Sequence, residues 1–452
     1  MNVTFLLYYI FGEISMRQCI FPIILIFCLI FSITAGAYQV SGFEVTAKAA
    51  VLLSLDTDEI IYSKNLDTRV YPASLAKLLA AVVLIENTPD LDSEKITMTQ
   101  EAMYEIMGTG ASVVGFKVGE EITARAALAA LLIHSGGDCA IAIAHHYGGD
   151  SDGFMEMVNA KAAEIGMKNS HFGNPVGLHD EQTYTTVNDL ILLTKYALKY
   201  DIIMELANQP RYTLEATNMS EERRLATTNM LIDNTTSYYY LYARGLKTGF
   251  TDEAGRCLIS TASYNGYNYL CILTGCKNDW NNRIEFTETA NLYRWAFNNF
   301  SYKTVIQSSE PVTEIPVRLS QQADFVSLYA KKPLTTIFPD DADLSTVKVV
   351  PHLKSESINA PVKSGTVLGF AEVIYAEQVI GKVDLVAGND VKASTVLVII
   401  DKLRQFLTSA VFIGILCVVG VTIAIFIIWV IAINRKPKKR KVRYIPYDND
   451  NR

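Results

Sequence analysis

Tyr71-Pro72-Ala73-Ser74-Leu75-Ala76-Lys77-Leu78-Leu79-Ala80-Ala81 sets a serine and a lysine three residues apart at the head of an apolar run that reaches Glu86. The Ala/Leu-rich run reads as a buried helix. Residues three apart share a helix face, so the hydroxyl of Ser74 and the amine of Lys77 are neighbours. A serine is a weak nucleophile without a base beside it. A lysine among Leu78, Ala80 and Ala81 is partly desolvated, which lowers its pKa toward the value a base needs. The helix start adds positive potential near Ser74. Alone the spacing is a weak signal, because average composition gives about two S-x-x-K matches by chance in a chain of this length.

Lys247-Thr248-Gly249 is rarer, with roughly 0.1 chance matches expected. It lies in Arg244-Gly245-Leu246-Lys247-Thr248-Gly249-Phe250-Thr251, a segment suited to a sheet edge beside a groove. There Lys247 and Thr248 would bind a carboxylate by charge and hydrogen bond. Gly249 lets a substrate backbone approach closely. The backbone N–H groups of Phe250 and Ser74 would form an oxyanion hole. Between the two motifs lies His134-Ser135-Gly136-Gly137-Asp138, where Ser135 ends one helix, precedes the next and projects into a cleft. Arg256 reads first as an exposed strand residue and second as an aid to carboxylate binding.

Around these motifs, residues 38–302 alternate strand-like and helix-like pieces. Ala47 to Leu55 and Glu59 to Tyr62 read as paired strands. Thr123 caps a helix from Ala124 to Ile133, Asp138 caps another running to Tyr147, and further helices cover Asp189 to Lys199 and Arg283 to Phe297. Asn265-Gly266 between two β runs is a hairpin signal. Strands at both ends with helices between them indicate an α+β domain whose first and last segments meet in one sheet. From 303 to 395 helical periodicity gives way to short β-rich runs, read as a small β-sandwich.

The ends carry membrane signals. Cys19 to Ile33 is apolar, follows Arg17 and ends in Ala35-Gly36-Ala37, so residues 1–37 read as a signal peptide, with Met16 as an alternative start. Residues 396–405 read as a juxtamembrane linker and 406–433 as a transmembrane helix, since no charge interrupts Phe406 to Ile433. The tail 434–452 holds eight basic and two acidic side chains, which places it in the cytoplasm and the body outside the cell. The net charge of −7 therefore hides a strongly acidic body, which argues against a nucleic-acid partner. The seven cysteines show no C-x-x-C spacing, and His145-His146 is adjacent rather than one turn apart, so no metal site is expected. Cys271 and Cys276 read as a possible pair or as free buried thiols.

The order S-x-x-K, an S-x-N-like loop, then K-T-G resembles the penicillin-binding D,D-peptidases and serine β-lactamases. Tyr71-Pro72-Ala73-Ser74, Asn174-Pro175-Val176-Gly177-Leu178-His179-Asp180, Tyr184-Thr185-Thr186 and Thr228-Asn229-Met230-Leu231 narrow the resemblance to the D-alanyl-D-alanine carboxypeptidases. It covers about 45–300 well and 303–395 more loosely, as that family's C-terminal β domain. It implies a β-lactamase/transpeptidase-like domain with an antiparallel sheet and a helical cluster, followed by the β domain. It implies Ser74 as the acylated nucleophile, Lys77 as general base and Ser135 as proton relay. Lys247, Thr248 and Gly249 would hold the terminal carboxylate of a stem peptide ending in D-Ala-D-Ala. Water would release the acyl-enzyme, β-lactams would acylate it, and no cofactor would be needed. One departure stands out: Gly137 occupies the place of the family's Asn, whose amide helps to fix the lysine. That departure motivates a weakly active or non-catalytic cell-wall scaffold as the alternative. A β-lactamase is disfavoured because no E-x-x-L-N-type segment lies between Ser135 and Lys247.

Overall fold

The structure is a computed structural model that describes residues 42–279 and 281–434. The signal-peptide reading and the basic tail beyond Asn434 lie outside the described residues. The chain divides into two compact units, the first holding everything up to Lys303 with two later segments, the second most of the remainder.

The first unit is built on a five-stranded antiparallel sheet in the order β2-β1-β9-β8-β7. Its strands are β1 (Ala49–Ser54), β2 (Ile60–Lys64), β7 (Ala243–Thr251), β8 (Gly255–Tyr264) and β9 (Tyr267–Cys276). Strands from the two ends of the domain thus pair, as the α+β reading expected. β1 is buried along its whole length, which explains its unbroken apolar run. Its side chains alternate: Ala49, Val51 and Leu53 join the core under the helical cluster, while Ala50 and Leu52 join the core on the opposite face. At the hairpin between β8 and β9, Asn265 and Gly266 both have positive φ, 50° and 82°, the backbone that a two-residue primed turn requires.

The helical cluster consists of α1 (Lys77–Asn87), α2 (Gln100–Ile106), α3 (Ala124–Ala129), α4 (Gly137–Gly148), α5 (Ser151–Ile165), α6 (Val187–Ala197) and α7 (Asp201–Ala207). Two small hairpins accompany it: β3 (Lys95–Thr97) with β4 (Glu121–Thr123), and β5 (Arg211–Leu214) with β6 (Arg223–Ala226). The last long helix, α8 (Ile284–Asn299), buries Phe286, Leu292 and Tyr293 in the core on the other face. Thr99, Thr123, Asp150 and Thr186 each accept a backbone N–H at a helix start, the ordinary capping arrangement.

Three local features differ from the sequence reading. Ser74 lies in a 3₁₀ turn, Ala73–Ala76, and the α-helix proper begins at Lys77. The helix after Thr123 turns π-helical at Ala130–His134 and ends on Ser135 in the left-handed region. Gly136, not Asp138, occupies the cap of α4. The Asp138 carboxylate instead accepts the backbone N–H groups of Val114, Gly115, Phe116 and Cys139, so it pins a loop rather than starting a helix. Cys139, Cys257, Cys271 and Cys276 are buried free thiols.

After the two-stranded pairing of β10 (Phe300–Ile306) with β13 (Leu334–Pro339), the second unit carries a six-stranded sheet. Its order is β14 (Lys348–Leu353), β16 (Val367–Tyr375), β17 (Gln378–Ala387), β12 (Phe325–Ala330), β11 (Pro311–Arg318) and β15 (Ile358–Asn359). The stretch read as a linker is helical: α9 (Thr395–Leu407) exposes Val396, Ile399, Ile400, Leu403 and Leu407 on one face. Thr408 and Ser409 separate it from α10 (Ala410–Asn434), the one helix among the described residues long and apolar enough to cross a membrane.

Candidate active site

Four chain segments meet at a cavity of about 440 Å³ at the end of the central sheet, a volume ordinary for a small-ligand site. The 3₁₀ turn supplies Ser74 and α1 supplies Lys77. The αL turn before α4 supplies Ser135. The edge strand β7 supplies Thr248, Gly249, Phe250 and Thr251, and the loop 174–178 supplies Val176, Gly177 and Leu178.

The Lys77 Nζ donates to Ser74 Oγ at 2.9 Å and to the Val176 carbonyl. This lysine is fully buried, and burial pulls its pKa down from the usual 10.5 to about 7, against a smaller upward pull from Cys139 and Asp138. A neutral amine beside a serine hydroxyl is thereby available near neutral pH.

Lys247 is equally buried, and its Nζ donates to Ser135 Oγ at 2.9 Å and to the Thr248 carbonyl at 2.8 Å. Burial and the nearby Lys77 charge push its pKa well below the usual lysine range. Lys247 lies behind the cavity wall rather than in it. The exposed face of the K-T-G segment is Thr248, whose hydroxyl is 2.5 Å from that of Thr228, with Gly249 beyond it. Ser135 holds φ at 62°, an uncommon conformation for serine that aims its hydroxyl at Lys247.

Gly249 lets β7 pack closely against the serine turn: a Cβ there would stand 3.0 Å from the Pro72 carbonyl and 3.1 Å from the Ser74 nitrogen, so a larger residue would push the two apart by a few tenths of an ångström. Phe250 lines the cavity beside Ser74.

Around Gly137 the space is already filled. A Cβ would meet Ala111 Cβ at 3.0 Å, the Ser112 carbonyl at 3.1 Å and Val176 Cγ1 at 3.1 Å, and the Gly137 N–H donates to that same carbonyl at 2.5 Å. The loop through Gly110, Ala111 and Ser112 forms this side of the cavity.

Sequence reasoning did not single out Arg283 and Glu285, and it read Arg256 first as exposed. All three line the cavity, and Arg256 and Glu285 are buried. Arg283 Nε and Nη2 each lie 2.7 Å from Glu285 Oε1, and Arg256 Nη1 lies 3.9 Å from the same oxygen. No short motif marks these residues; only the pairing of β8 with β7 and the docking of α8 bring them to the cavity.

A base-paired serine at the end of an antiparallel sheet, with a second serine–lysine pair across the cleft, defines an active-serine enzyme of the transpeptidase-like class. The chain belongs to the D-alanyl-D-alanine carboxypeptidase family, a family of serine peptidases, which matches residues 35–278. Residues 300–393 match the C-terminal domain of penicillin-binding protein 5. D-alanyl-D-alanine carboxypeptidase DacF of Bacillus subtilis is 28% identical over 348 residues, 76% of this chain and 86% of that protein. DacC of Escherichia coli is 27% identical over 76% of this chain and 84% of that protein. Among solved structures, penicillin-binding protein 5 of Haemophilus influenzae superposes with a TM-score of 0.62 at 23% identity, over 78% of this chain and all of that one. The Streptomyces K15 DD-transpeptidase gives 0.52 at 24% identity, over 57% of this chain and all of that one. At these identities the structural likeness speaks for the fold.

Proposed function

We propose that this protein is a D-Ala-D-Ala carboxypeptidase that removes the terminal D-alanine from peptidoglycan stem peptides by way of a serine acyl-enzyme. The observation that carries the reading is the Lys77–Ser74 pair: a fully buried amine with its pKa near 7, 2.9 Å from a hydroxyl that opens on the cavity.

The neutral Lys77 amine takes the Ser74 proton as Oγ attacks the carbonyl carbon between the two D-alanines. Negative charge on the carbonyl oxygen is met by the backbone N–H groups of Ser74 and Phe250. Ser135 passes a proton to the departing amine nitrogen and is resupplied by the Lys247 ammonium at 2.9 Å. The C–N bond breaks, D-alanine leaves, and Ser74 carries the acyl group. Water then attacks the ester, its proton passing through Ser135 to the now neutral Lys247 amine, while the Lys77 ammonium returns its proton to Ser74 Oγ as the ester C–O bond breaks, so both lysines regain their starting states. The terminal carboxylate faces Thr248 on the cavity wall. The anionic carboxylate favours the protonated form of Lys247 behind the wall, and the guanidiniums of Arg283 and Arg256 are the cations that reach the cavity itself. No cofactor takes part. β-Lactams present the same acyl carbonyl and carboxylate, so they are expected to acylate Ser74.

The alternative, a weakly active scaffold, rests on Gly137. It is less favoured because the Val176 carbonyl already gives Lys77 a second acceptor without a side-chain amide.

The 25 residues of α10, about 37 Å at 1.5 Å per residue, exceed a hydrocarbon core of about 30 Å. This length supports a single-pass anchor, and the basic tail supports an extracytoplasmic catalytic domain.

The test is release of free D-alanine from an N-acylated D-Ala-D-Ala peptide. Release by the wild type and none by Ser74→Ala supports the reading. Penicillin labelling without any release would favour the scaffold, and rapid penicillin turnover would favour a β-lactamase.

A further inference from the structure

Two cations stand in the cavity wall with one carboxylate between them, and the residues come from two elements. Arg283 immediately precedes α8, Glu285 lies in its first turn, and Arg256 is on β8. The Glu285 side chain is 2% exposed, that of Arg256 6% and that of Arg283 21%, so Arg283 is the member of the cluster most open to a ligand. Glu285 Oε1 takes both Nε and Nη2 of Arg283 at 2.7 Å. This leaves the Nη1 edge, which lies 3.8 Å from the soft Met230 sulfur, turned toward the Thr228–Met230 wall of the cavity. Glu285 also draws the Arg256 guanidinium to 3.9 Å, and that guanidinium lies 4.8 Å from the centre of the Phe250 ring. One buried carboxylate therefore holds both cations of the wall and reaches, through Arg256, the strand that borders Ser74.

Charge gives the cluster its meaning. Two guanidiniums facing one cavity would attract a doubly anionic group. With Glu285 between them they carry one net positive charge, which matches a single carboxylate. A buried carboxylate in this position repels a second anion in a site of low dielectric.

We propose that Glu285 is a positioning and specificity residue: it orients Arg283 toward the terminal carboxylate of the substrate and restricts the leaving residue to one negative charge. The proposal rests on the carboxypeptidase reading given above.

The experiment compares three N-acylated peptides, ending in D-Ala-D-Ala, in D-Ala-D-Glu and in D-Ala-D-alaninamide, with the wild type and Glu285→Gln. The variant keeps the size of the side chain and removes its charge. The expected result is a rise of about five- to tenfold in KM for D-Ala-D-Ala, with kcat within about twofold. Discrimination against D-Ala-D-Glu should fall by about tenfold, and the amide substrate should be unaffected. In the double variant Arg256→Gln/Glu285→Gln the wall again carries one net charge, and discrimination should return. Equal losses on all three substrates, no change on any of them, or no recovery in the double variant would overturn the proposal. Should the wild type release no D-alanine, the carboxypeptidase reading fails by itself. Glu285 is then judged by acylation with benzylpenicillin against its methyl ester: a narrowed preference for the free acid in Glu285→Gln supports the proposal, and an unchanged one sinks it. Should Glu285→Gln fail to fold, Glu285→Asp, which keeps the charge, must retain the discrimination against D-Ala-D-Glu.

Discussion

Lys247 reaches Ser135 across 112 residues of sequence, with its Nζ 2.9 Å from the serine Oγ and both groups buried. A second serine–lysine pair, Ser74 with Lys77, faces the same cavity. In the mechanism proposed above the two pairs divide the work of moving protons: one takes a proton from the attacking hydroxyl, the other delivers one to the leaving nitrogen. Neither lysine forms an ion pair with a carboxylate among the described residues, and burial depresses both pKa values.

Activity should follow the ionisation of Lys77. Its amine is neutral above its pKa of about 7 and protonated below it. Acylation by a penicillin is expected to be nearly constant above that pH and to fall about tenfold per unit well below it. Stopped-flow acylation rates across pH 5–9, about two units either side of that pKa, check this. Lys77→Arg, which stays charged, should lose at least about a hundredfold at every pH.

The same lysine burdens the fold. Its folded pKa lies below the unfolded value of about 10.5, so the unfolded chain binds more protons between pH 7 and 10.5. Stability attributable to this site therefore rises with pH through that window, and the penalty is complete below about pH 7. Lys77→Met should melt higher than the wild type at pH 6, and the difference should shrink toward pH 10. Thermal denaturation at both pH values measures it.

Replacing Gly137 by Asn should not improve the enzyme. The new Cβ lands 3.0 to 3.1 Å from Ala111, Ser112 and Val176. The loop cannot yield easily, because Asp138 holds Val114, Gly115 and Phe116 by their N–H groups. Overpacking of this kind costs about 1–3 kcal/mol. The expected outcome is a lower melting temperature and slower D-alanine release, read by calorimetry and by the release assay.

Gly249→Ala should preserve the fold and damage the chemistry. The added methyl group meets the Pro72 carbonyl and the Ser74 nitrogen, which moves the nucleophile relative to β7. Since a misplacement of about 1 Å costs about a hundredfold, this smaller shift is expected to lower kcat/KM by roughly tenfold. The melting temperature should change little, and an unaltered kcat/KM would contradict the steric account.

Much of this site is legible in the sequence because its groups sit in short local patterns. Ser74 and Lys77 share one turn, and Lys247 to Gly249 share one strand. Ser135 announces itself by lying between two helical runs. The central sheet is legible for a related reason: β1 is an unbroken apolar run, and Asn265-Gly266 fixes the hairpin beside it. The remainder depends on contacts distant in sequence. Whether Lys247 faces the cavity or lies behind its wall is decided by Ser135, which no spacing rule connects to it. Arg256 looks exposed because its neighbours on β8 are uninformative, yet the pairing of Phe250 with Arg256 and the arrival of α8 bury it. Gly137 reads as a missing amide, and only the path of residues 110–116 shows the space to be occupied. The helical character of 395–407 escapes because a single amphipathic helix beside a long apolar run has no boundary except Thr408-Ser409.

Mapping the covalent adduct formed with benzylpenicillin tests the central claim most directly. Digestion and mass spectrometry should find the penicilloyl group on the peptide containing Ser74, with no adduct in Ser74→Ala. An adduct on any other side chain, or the absence of one in the folded wild-type protein, would contradict the assignment of Ser74 and Lys77 as nucleophile and base.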